Sequence, residues 1–298
     1  MTDLSYEGIE MNREYGPYKY PLRERIERHL EAVENEHPWH RERSPWGPPV
    51  APPSMLGNMG MRFLDVVGPV PPGTLHAKQE IETVSAIRLD RKPIGYGVFR
   101  EKYEKRGRKW FTFESRWRDE TGLILGVSRM RMVFPGTEGE GSRREEGGGG
   151  REPGSENPEP AERRGKLPAI TRTLNQERLT AYSEDSANAL RGQSIHVQPE
   201  AAKQAGFRTT VAQGLMGADY MSELMENELA REWYDNAKLA VTFLRPVLCG
   251  ETITTSGRLA ESAEEGAMVR RVYELWCENA EGELVTSGTA TVLVGRGT

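Results

Sequence analysis

The sequence predicts an α+β fold built from two copies of one plan, each a long apolar helix followed by an antiparallel meander of strands. An apolar, Met-rich stretch of helical length occurs once in each half of the 298-residue chain, at residues 50–64 and 211–225. Strand-like runs follow each stretch. The same order of elements on both sides of a break in composition is what an internal duplication would leave.

The strand-like runs predict a meander in each half. They lie at residues 73–87, 95–102, 110–117 and 123–134, and again at 239–243, 252–259, 268–278 and 284–294. The closest internal match is WRDETGLILGVSRMRMVF, from Trp117, against WCENAEGELVTSGTATVL, from Trp276, where a charged turn with Gly122 or Gly282 joins two strands. A helix followed by an antiparallel meander implies a sheet with one face covered by that helix. A further amphipathic helix at residues 21–33 precedes the first copy.

The composition changes sharply at residues 136–166, where Gly, Pro and charged residues replace the apolar periodicity. Such a segment buries too little apolar surface to offset its ordering entropy, so it predicts a flexible linker. We therefore expect an N-terminal domain at residues 1–135, which carries no site, and a C-terminal domain at residues 167–298, which carries the site.

Charge and hydropathy exclude several classes of function. The formal charge of −5 comes from 45 acidic and 40 basic residues spread along the chain, which leaves no basic face for nucleic acid. No apolar run reaches the ~18–20 residues of a membrane span, and the N-terminus lacks a signal pattern, so we expect a cytoplasmic protein that does not bind membranes. No phosphate-binding glycine motif lies between a strand and a helix, and the sequence therefore predicts no nucleotide cofactor.

Four segments of the second half carry a family resemblance: ITRTLNQERLTAYSEDSAN from Ile170, IHVQPEAAKQAGF from Ile195, VAQGLM from Val211 and FLRPVLCGETI from Phe243. Together they resemble the MaoC-like, (R)-specific enoyl-thioester hydratase and dehydratase family, in its two-domain form. The resemblance covers roughly residues 170–294 well and residues 18–134 more weakly. It implies a double hot-dog fold, in which each sheet wraps round a central helix.

The resemblance also implies an activity, that of a carbon–oxygen lyase. Its substrate would be an enoyl or 3-hydroxyacyl thioester, carried by CoA or by an acyl-carrier protein, and no cofactor would be needed. In the family a His and an Asp hold and activate the water, and a backbone amide at the start of the central helix polarises the thioester carbonyl. The implied assembly is a homodimer or a pseudo-dimeric monomer.

His196 and Gly214 match two of these roles. Imidazole accepts and returns a proton near neutral pH, as water addition requires. Gly214 opens the central helix, where the first backbone amides have no intrahelical partner and favour an oxyanion; the alternative is that it only allows close helix packing. The neighbouring residues Gln213, Ile195, Leu215 and Met216 are expected to contact the substrate.

The catalytic acid of the family is not matched. The family pattern runs Asp, any residue, Asn, Pro, Ile, His, whereas this chain has Arg191 and Gln193 in the places of Asp and Asn when it is read without gaps. With a three-residue insertion, Asn188 takes the place of the Asp. An amide positions water but cannot share its proton, and guanidinium is not a base. Arg191 is suited instead to a carboxylate of the substrate or a phosphate of CoA. Asp185 and Glu184 would supply a substitute acid only if the loop folds back, and the expectation is that they are solvated charges at a helix end.

The first half is expected to have no active site. Aligning VAQGLM with VAPPSM puts Pro52 and Pro53 opposite Gln213 and Gly214, and proline has no amide hydrogen to donate. The first half has no histidine before its helix that matches the setting of His196, and His29, His37, His40 and His76 are expected to be surface or structural residues. Three functions stay open at this point: a hydratase or dehydratase, another thioester or dehydration chemistry, and a non-catalytic protein that binds acyl thioesters.

Overall fold

A computed structural model describes residues 3–136 and 167–295, which we call the first and the second half. The predicted linker lies almost wholly outside the described residues. The strands of the first half are β1 (Glu14–Lys19), β2 (Val50–Ala51), β3 (Leu75–Thr83), β4 (Ile87–Arg88), β5 (Ile94–Lys105), β6 (Arg108–Arg118) and β7 (Ile124–Val133). Its helices are α1 (Leu22–Val33) and α2 (Met55–Val67), and a 3-10 turn spans Pro38–His40.

The second half repeats this order with more helical turns before its central helix. Its strands are β8 (Ile170–Thr173), β9 (Ala237–Phe243), β10 (Thr252–Glu265), β11 (Met268–Asn279) and β12 (Leu284–Gly295). Its helices are α3 (Gln176–Ser183), α4 (Ala187–Leu190), α5 (Pro199–Gln204), α6 (Gly214–Leu229) and α7 (Arg231–Tyr234). The predicted α+β class and the two central helices, α2 and α6, are confirmed.

One antiparallel sheet contains both halves. Ten strands follow in the order β1-β5-β6-β7-β3-β9-β12-β11-β10-β8, while β2 and β4 form a separate pair. The order reads as one sequence of five strands followed by its mirror image, so β3 and β9 occupy the same place in the two halves. These two strands pair with each other, from Lys78 opposite Thr242 to Thr83 opposite Ala237.

The hairpin turns confirm the internal repeat at the level of single hydrogen bonds. Between β6 and β7, the Asp119 amide donates to Leu123 O at 2.9 Å and the Gly122 amide to Asp119 O at 3.0 Å. Between β11 and β12, Asn279 and Gly282 make the same two bonds, at 3.0 and 3.0 Å. Both turn glycines have positive φ, 92° and 76°, a conformation that side chains with a Cβ rarely adopt.

The central helices begin at different places relative to the repeat. In the aligned sequences Pro53 corresponds to Gly214, but α2 begins only at Met55, whereas α6 begins at Gly214 itself. Two prolines precede α2, and they supply no amide to the first turn. Helix α6 lies between the sheet and the other half, and nearly all of its residues are buried, including Asp219, Glu223 and Glu226.

The helices of the two halves pack against each other, α1 on α3 and, less extensively, α2 on α6. Charged residues cross this contact. Arg62 of α2 binds Asp185 at 2.5 Å, and its guanidinium donates to Tyr182 O at 3.2 Å. Within the described ranges no helix is long and apolar enough to cross a membrane.

Candidate functional site

His196 lies in the segment between α4 and α5, held by bonds on both sides. Its amide donates to Ser194 Oγ at 3.2 Å, and its carbonyl accepts from Gln176 Nε2 of α3 at 3.2 Å. Its ring Nδ1 lies 2.7 Å from Val211 O, three residues before α6. Because a carbonyl only accepts, Nδ1 carries the hydrogen, and in the neutral ring Nε2 is the proton-accepting edge.

The surroundings of His196 favour the neutral ring. Burial lowers its pKa to about 4, against the hydrogen bond to Val211 O, which raises it, and the charge of Arg62 lowers it further. The side chain is nevertheless only half-buried. The ring is therefore an unprotonated base with access to its surroundings.

The start of α6 is anchored beside this ring. Val211 bridges to Leu248, and the Ala212 amide donates to Val247 O at 2.8 Å. Gly214 follows and is exposed. A Cβ at this position would lie 2.9 Å from the Phe243 ring, so only glycine leaves the ring in place. Gly214 thus serves close packing and also exposes the first amide of a 16-residue helix.

Phe243 is a residue of this region that the sequence did not single out. Its ring packs edge-on against His76 of β3, with ring centroids 4.9 Å apart. Burial lowers the pKa of His76 to about 4, so this second histidine is neutral as well. The pairing of β3 with β9 brings the two rings together, and no local sequence signal could have shown that contact.

Asn188 and Arg191 lie on α4 and at its end, facing the first half. Asn188 Nδ2 donates to Val70 O at 3.2 Å, while its Oδ1 is buried without a hydrogen-bond partner. Arg191 is exposed and forms an ion pair with Asp3. No hydrogen bond or ion pair among the described residues joins either side chain to the His196 ring.

The two candidate substitute acids are bound to arginines of the first half. Asp185 pairs with Arg25 and Arg62, both at 2.5 Å, and Glu184 pairs with Arg28 at 2.8 Å. In the part of the chain that the structure describes, no carboxylate forms a hydrogen bond or ion pair with His196. The catalytic acid of the family pattern is therefore not replaced by a nearby carboxylate in this conformation.

The other expected contact residues divide by burial. Gln213 is the N-cap residue of α6 and Ile195 accepts a 3.1 Å hydrogen bond from the Val211 amide; both are half-buried. Leu215 and Met216 are 2% and 1% exposed and belong to the hydrophobic core. Their side chains pack inside the protein in this structure.

The first half has a counterpart of His196, which the sequence-based expectation denied. His40 Nδ1 lies 2.8 Å from Val50 O, as His196 Nδ1 lies 2.7 Å from Val211 O, and Val50 and Val211 align in the repeat. Each histidine follows an asparagine, which is Asn35 shortly after α1 or Asn188 within α4. The statement that the first half has no matching histidine is therefore wrong.

His40 differs from His196 in what surrounds the other ring nitrogen. Its Nε2 lies 3.1 Å from Glu226 Oε2 of α6, and Asn35 Nδ2 donates to the same oxygen at 3.2 Å. Burial alone would raise the pKa of Glu226, but the hydrogen bonds from His40 and Asn35 hold it below its usual range. Both side chains are fully buried. Both ring nitrogens of His40 are occupied, so it offers no free proton acceptor.

A signal for His40 was present in the sequence. Residues 35–40 read Asn, Glu, His, Pro, Trp, His, which keeps the proline, the final histidine and the spacing of the family pattern. The second half keeps only the Ile and the His, and it has three more residues between Asn188 and His196. The family pattern is therefore closer in the first half around His40, although the second half carries the stronger overall resemblance.

Comparisons with known proteins bear on the fold of the chain and on the family of its second half. Residues 165–274 match the family model of the MaoC like domain. A MaoC-like dehydratase from Phytophthora capsici superposes with a TM-score of 0.67 at 16% identity, over 98% of this chain and 99% of that one. No curated protein matches the sequence.

Two further solved structures share the architecture. Full-length peroxisomal multifunctional enzyme type 2 from Drosophila melanogaster matches with a TM-score of 0.60 at 17% identity, over 94% of this chain and 48% of that one. A conserved hypothetical protein of Mycobacterium tuberculosis, described as a double hot-dog fold, gives 0.64 at 9% identity, over 98% of each chain. The resemblance predicted from the sequence is confirmed: the second half carries a MaoC-like domain, and the chain as a whole has the double hot-dog fold.

Proposed function

We propose that the protein is a hydratase or dehydratase of an enoyl or 3-hydroxyacyl thioester, carried by CoA or by an acyl-carrier protein. The observation that carries this proposal is the bond from His196 Nδ1 to Val211 O, which leaves Nε2 as a base. It also ties the ring to the backbone three residues before Gly214, the exposed first residue of α6. The match of residues 165–274 to the MaoC like domain supports the reaction class.

The chemistry divides between His196 and Gly214. In hydration, the water oxygen bonds to C3 of the enoyl group while His196 Nε2 accepts its proton. The electron pair of the double bond moves towards the thioester oxygen, where the Gly214 amide stabilises the enolate. The protonated His196 then returns a proton to C2, and dehydration follows the same steps in reverse.

Asn188 is assigned the water-positioning role. Its buried Oδ1 has no partner in the protein, and an unpartnered buried acceptor favours binding of a donor such as water. The bond from Nδ2 to Val70 O fixes the orientation of the amide. Since an amide cannot take up the proton, His196 would carry the whole acid–base task.

The substrate carrier would be recognised at the rim. Arg191 is exposed beyond α4, and its pairing with Asp3 leaves the guanidinium at the surface, where it can bind a phosphate of CoA. The two halves already pair within one chain through β3 and β9, which supports a pseudo-dimeric monomer.

The neutral form of His196 is directly measurable. Because its folded pKa, about 4, is below that of an exposed histidine, the unfolded chain takes up a proton between about pH 6.5 and 4 that the folded chain does not. Stability should fall as pH decreases through this window, and less steeply in His196→Gln. Nitrogen-15 NMR should show the hydrogen on Nδ1 and no titration above pH 5. Titration at pH 6.5 with a hydrogen on Nε2 would refute the assignment.

Removal of the base should abolish turnover. His196→Ala is expected to lower the hydration rate of crotonyl-CoA, followed by the absorbance of the enoyl thioester, by about 10²–10⁴-fold. His196→Gln should lose as much, because glutamine cannot take up a proton. Circular dichroism and melting temperature of both variants serve as controls of folding. Full turnover by either variant contradicts the proposal.

The same assay separates the alternative functions. A panel of enoyl and 3-hydroxyacyl thioesters of increasing chain length is tested for turnover and, by calorimetry, for binding. Saturable binding without any turnover by the unaltered protein would replace the proposal with a non-catalytic thioester-binding protein. That alternative is supported by one observation: among the described residues, no carboxylate forms a hydrogen bond or ion pair with the His196 ring.

Two substitutions of Asn188 separate its catalytic and structural roles. Asn188→Ala should lower kcat about tenfold, as expected for loss of one oriented hydrogen bond. Asn188→Asp also loses the bond to Val70 O but keeps the acceptor, so it should retain most of the activity at neutral pH. If both variants lose activity equally, Asn188 acts only through its contact with the first half.

The role of Arg191 predicts a dependence on the carrier. Arg191→Ala should raise KM for a CoA thioester about tenfold, because a hydrogen bond to a charged group contributes about 1.5 kcal/mol. KM for the pantetheine thioester, which lacks the nucleotide phosphates, should not change. Arg208→Ala is the matched control, since Arg208 is also exposed and paired with a carboxylate, Glu251. Equal affinities of Arg191→Ala and the unaltered protein for the CoA thioester would overturn the role.

A further inference from the structure

A cavity borders the first half, in the region that corresponds to the surroundings of His196 in the second half. The cavity has a volume of about 560 Å³. It lies between the segment that follows α1, the strand β8 and the C-terminal part of helix α6. Asn35 and His37 are among its lining residues. Asn35 is the counterpart of Asn188, so the cavity lies beside the first-half segment that runs from the asparagine to His40.

Arg172, the one guanidinium that lines the cavity, is already engaged. It binds Glu223 Oε1 at 2.8 Å and Glu34 Oε2 at 3.3 Å. It also donates to the backbone carbonyls of Glu34, at 3.0 Å, and Val33, at 3.4 Å. An anion entering the cavity would have to displace these bonds.

Glu223, unlike Arg172, has a polar atom without a bonding partner. The residue is 8% exposed, and its second carboxylate oxygen, Oε2, is buried without a hydrogen-bond partner. Glu34 and Glu36 also line the cavity. Glu34 Oε2 is shared by Arg172, at 3.3 Å, and by Arg178 of α3, at 3.1 Å, so three carboxylates are met by two guanidiniums. An unpartnered buried carboxylate oxygen is costly and favours a donor, and the surplus of negative charge favours a positive one.

We propose that this cavity binds a small organic cation through a primary ammonium group that donates to Glu223 Oε2. An ammonium is a compact charge with three donors, which suits one buried oxygen and a carboxylate rim. The volume is in the usual range for small-ligand pockets, about 300–1,000 Å³. The site is separate from His196 and requires no reaction at the thioester.

Binding should release a proton near neutral pH. Burial raises the pKa of Glu223 to about 7, although the charge of Arg172 lowers it. A cation beside Oε2 favours the ionised form, so affinity should rise between pH 6 and 8. The charged or titratable groups around Glu223 and this cavity are Arg172 from β8, Arg178 from α3, Glu34, Glu36 and His37 from the segment after α1, His40 from the 3-10 turn, and Asp219 and Glu226 of its own helix.

The test uses n-butylamine, putrescine and spermidine as probes, with 1-butanol as the uncharged analogue and succinate as the anion. Calorimetry at pH 8 on the full chain should show one saturable site for the amines and none for the alcohol or succinate. Glu223→Gln should weaken amine binding at least tenfold. Glu228→Gln, an exposed glutamate of the same helix, should not change it.

Folding of Glu223→Gln is checked by its melting temperature. If it does not fold, the unaltered protein still decides: in NMR titrations with the amines, shifts should be confined to the cavity, near His37 and Arg172. No saturable amine binding, unchanged binding by folded Glu223→Gln, or tighter binding of succinate would each overturn the proposal. Thioester turnover by Glu223→Gln should equal that of the unaltered protein, which separates this site from the proposed activity.

Discussion

The pairing of β3 with β9 is the interaction on which the rest of the structure depends. Without it, each five-stranded half would end in an edge strand with unpaired amides and carbonyls. Lys238 of β9 lies 3.4 Å from Glu80 and 3.3 Å from Glu82 of β3, so opposite charges reinforce the backbone bonds at the seam. One continuous sheet then fixes the two central helices side by side.

That arrangement makes each histidine region a product of both halves. Asn188 of the second half donates to Val70 O of the first, and Asn35 of the first donates to Glu226 of the second. The ion pairs of Asp185 with Arg25 and Arg62 cross the same contact. Each region therefore needs residues of both halves.

The sequence predicted what depends on local pattern. Hydrophobic periodicity located α2, α6 and the long strands, and the match of the two hairpins indicated the repeat. Both signals lie within short stretches of sequence, where alternation and turn residues can be recognised. The predicted start of α2 was early, since Pro52 and Pro53 delay the helix. Other features depend on contacts between the halves, whose residues lie far apart in the sequence. They are the contact of His76 with Phe243 and the pairing of Glu184 and Asp185 with arginines.

The two histidines show how a duplicated site diverges while its scaffold is kept. Both rings bond through Nδ1 to a backbone carbonyl at the same place in the repeat, Val50 O or Val211 O, so the fold sets the orientation of each ring. The two histidines differ in the partner of the second ring nitrogen, Nε2. Glu226 occupies it in His40 and buries the pair completely, whereas the residue aligned with Glu226 in the first half is Asp65, one methylene shorter and bound to Arg62 at 3.4 Å. Glu226 therefore bonds to Nε2 of His40, whereas Asp65 bonds to Arg62 and forms no described bond to Nε2 of His196.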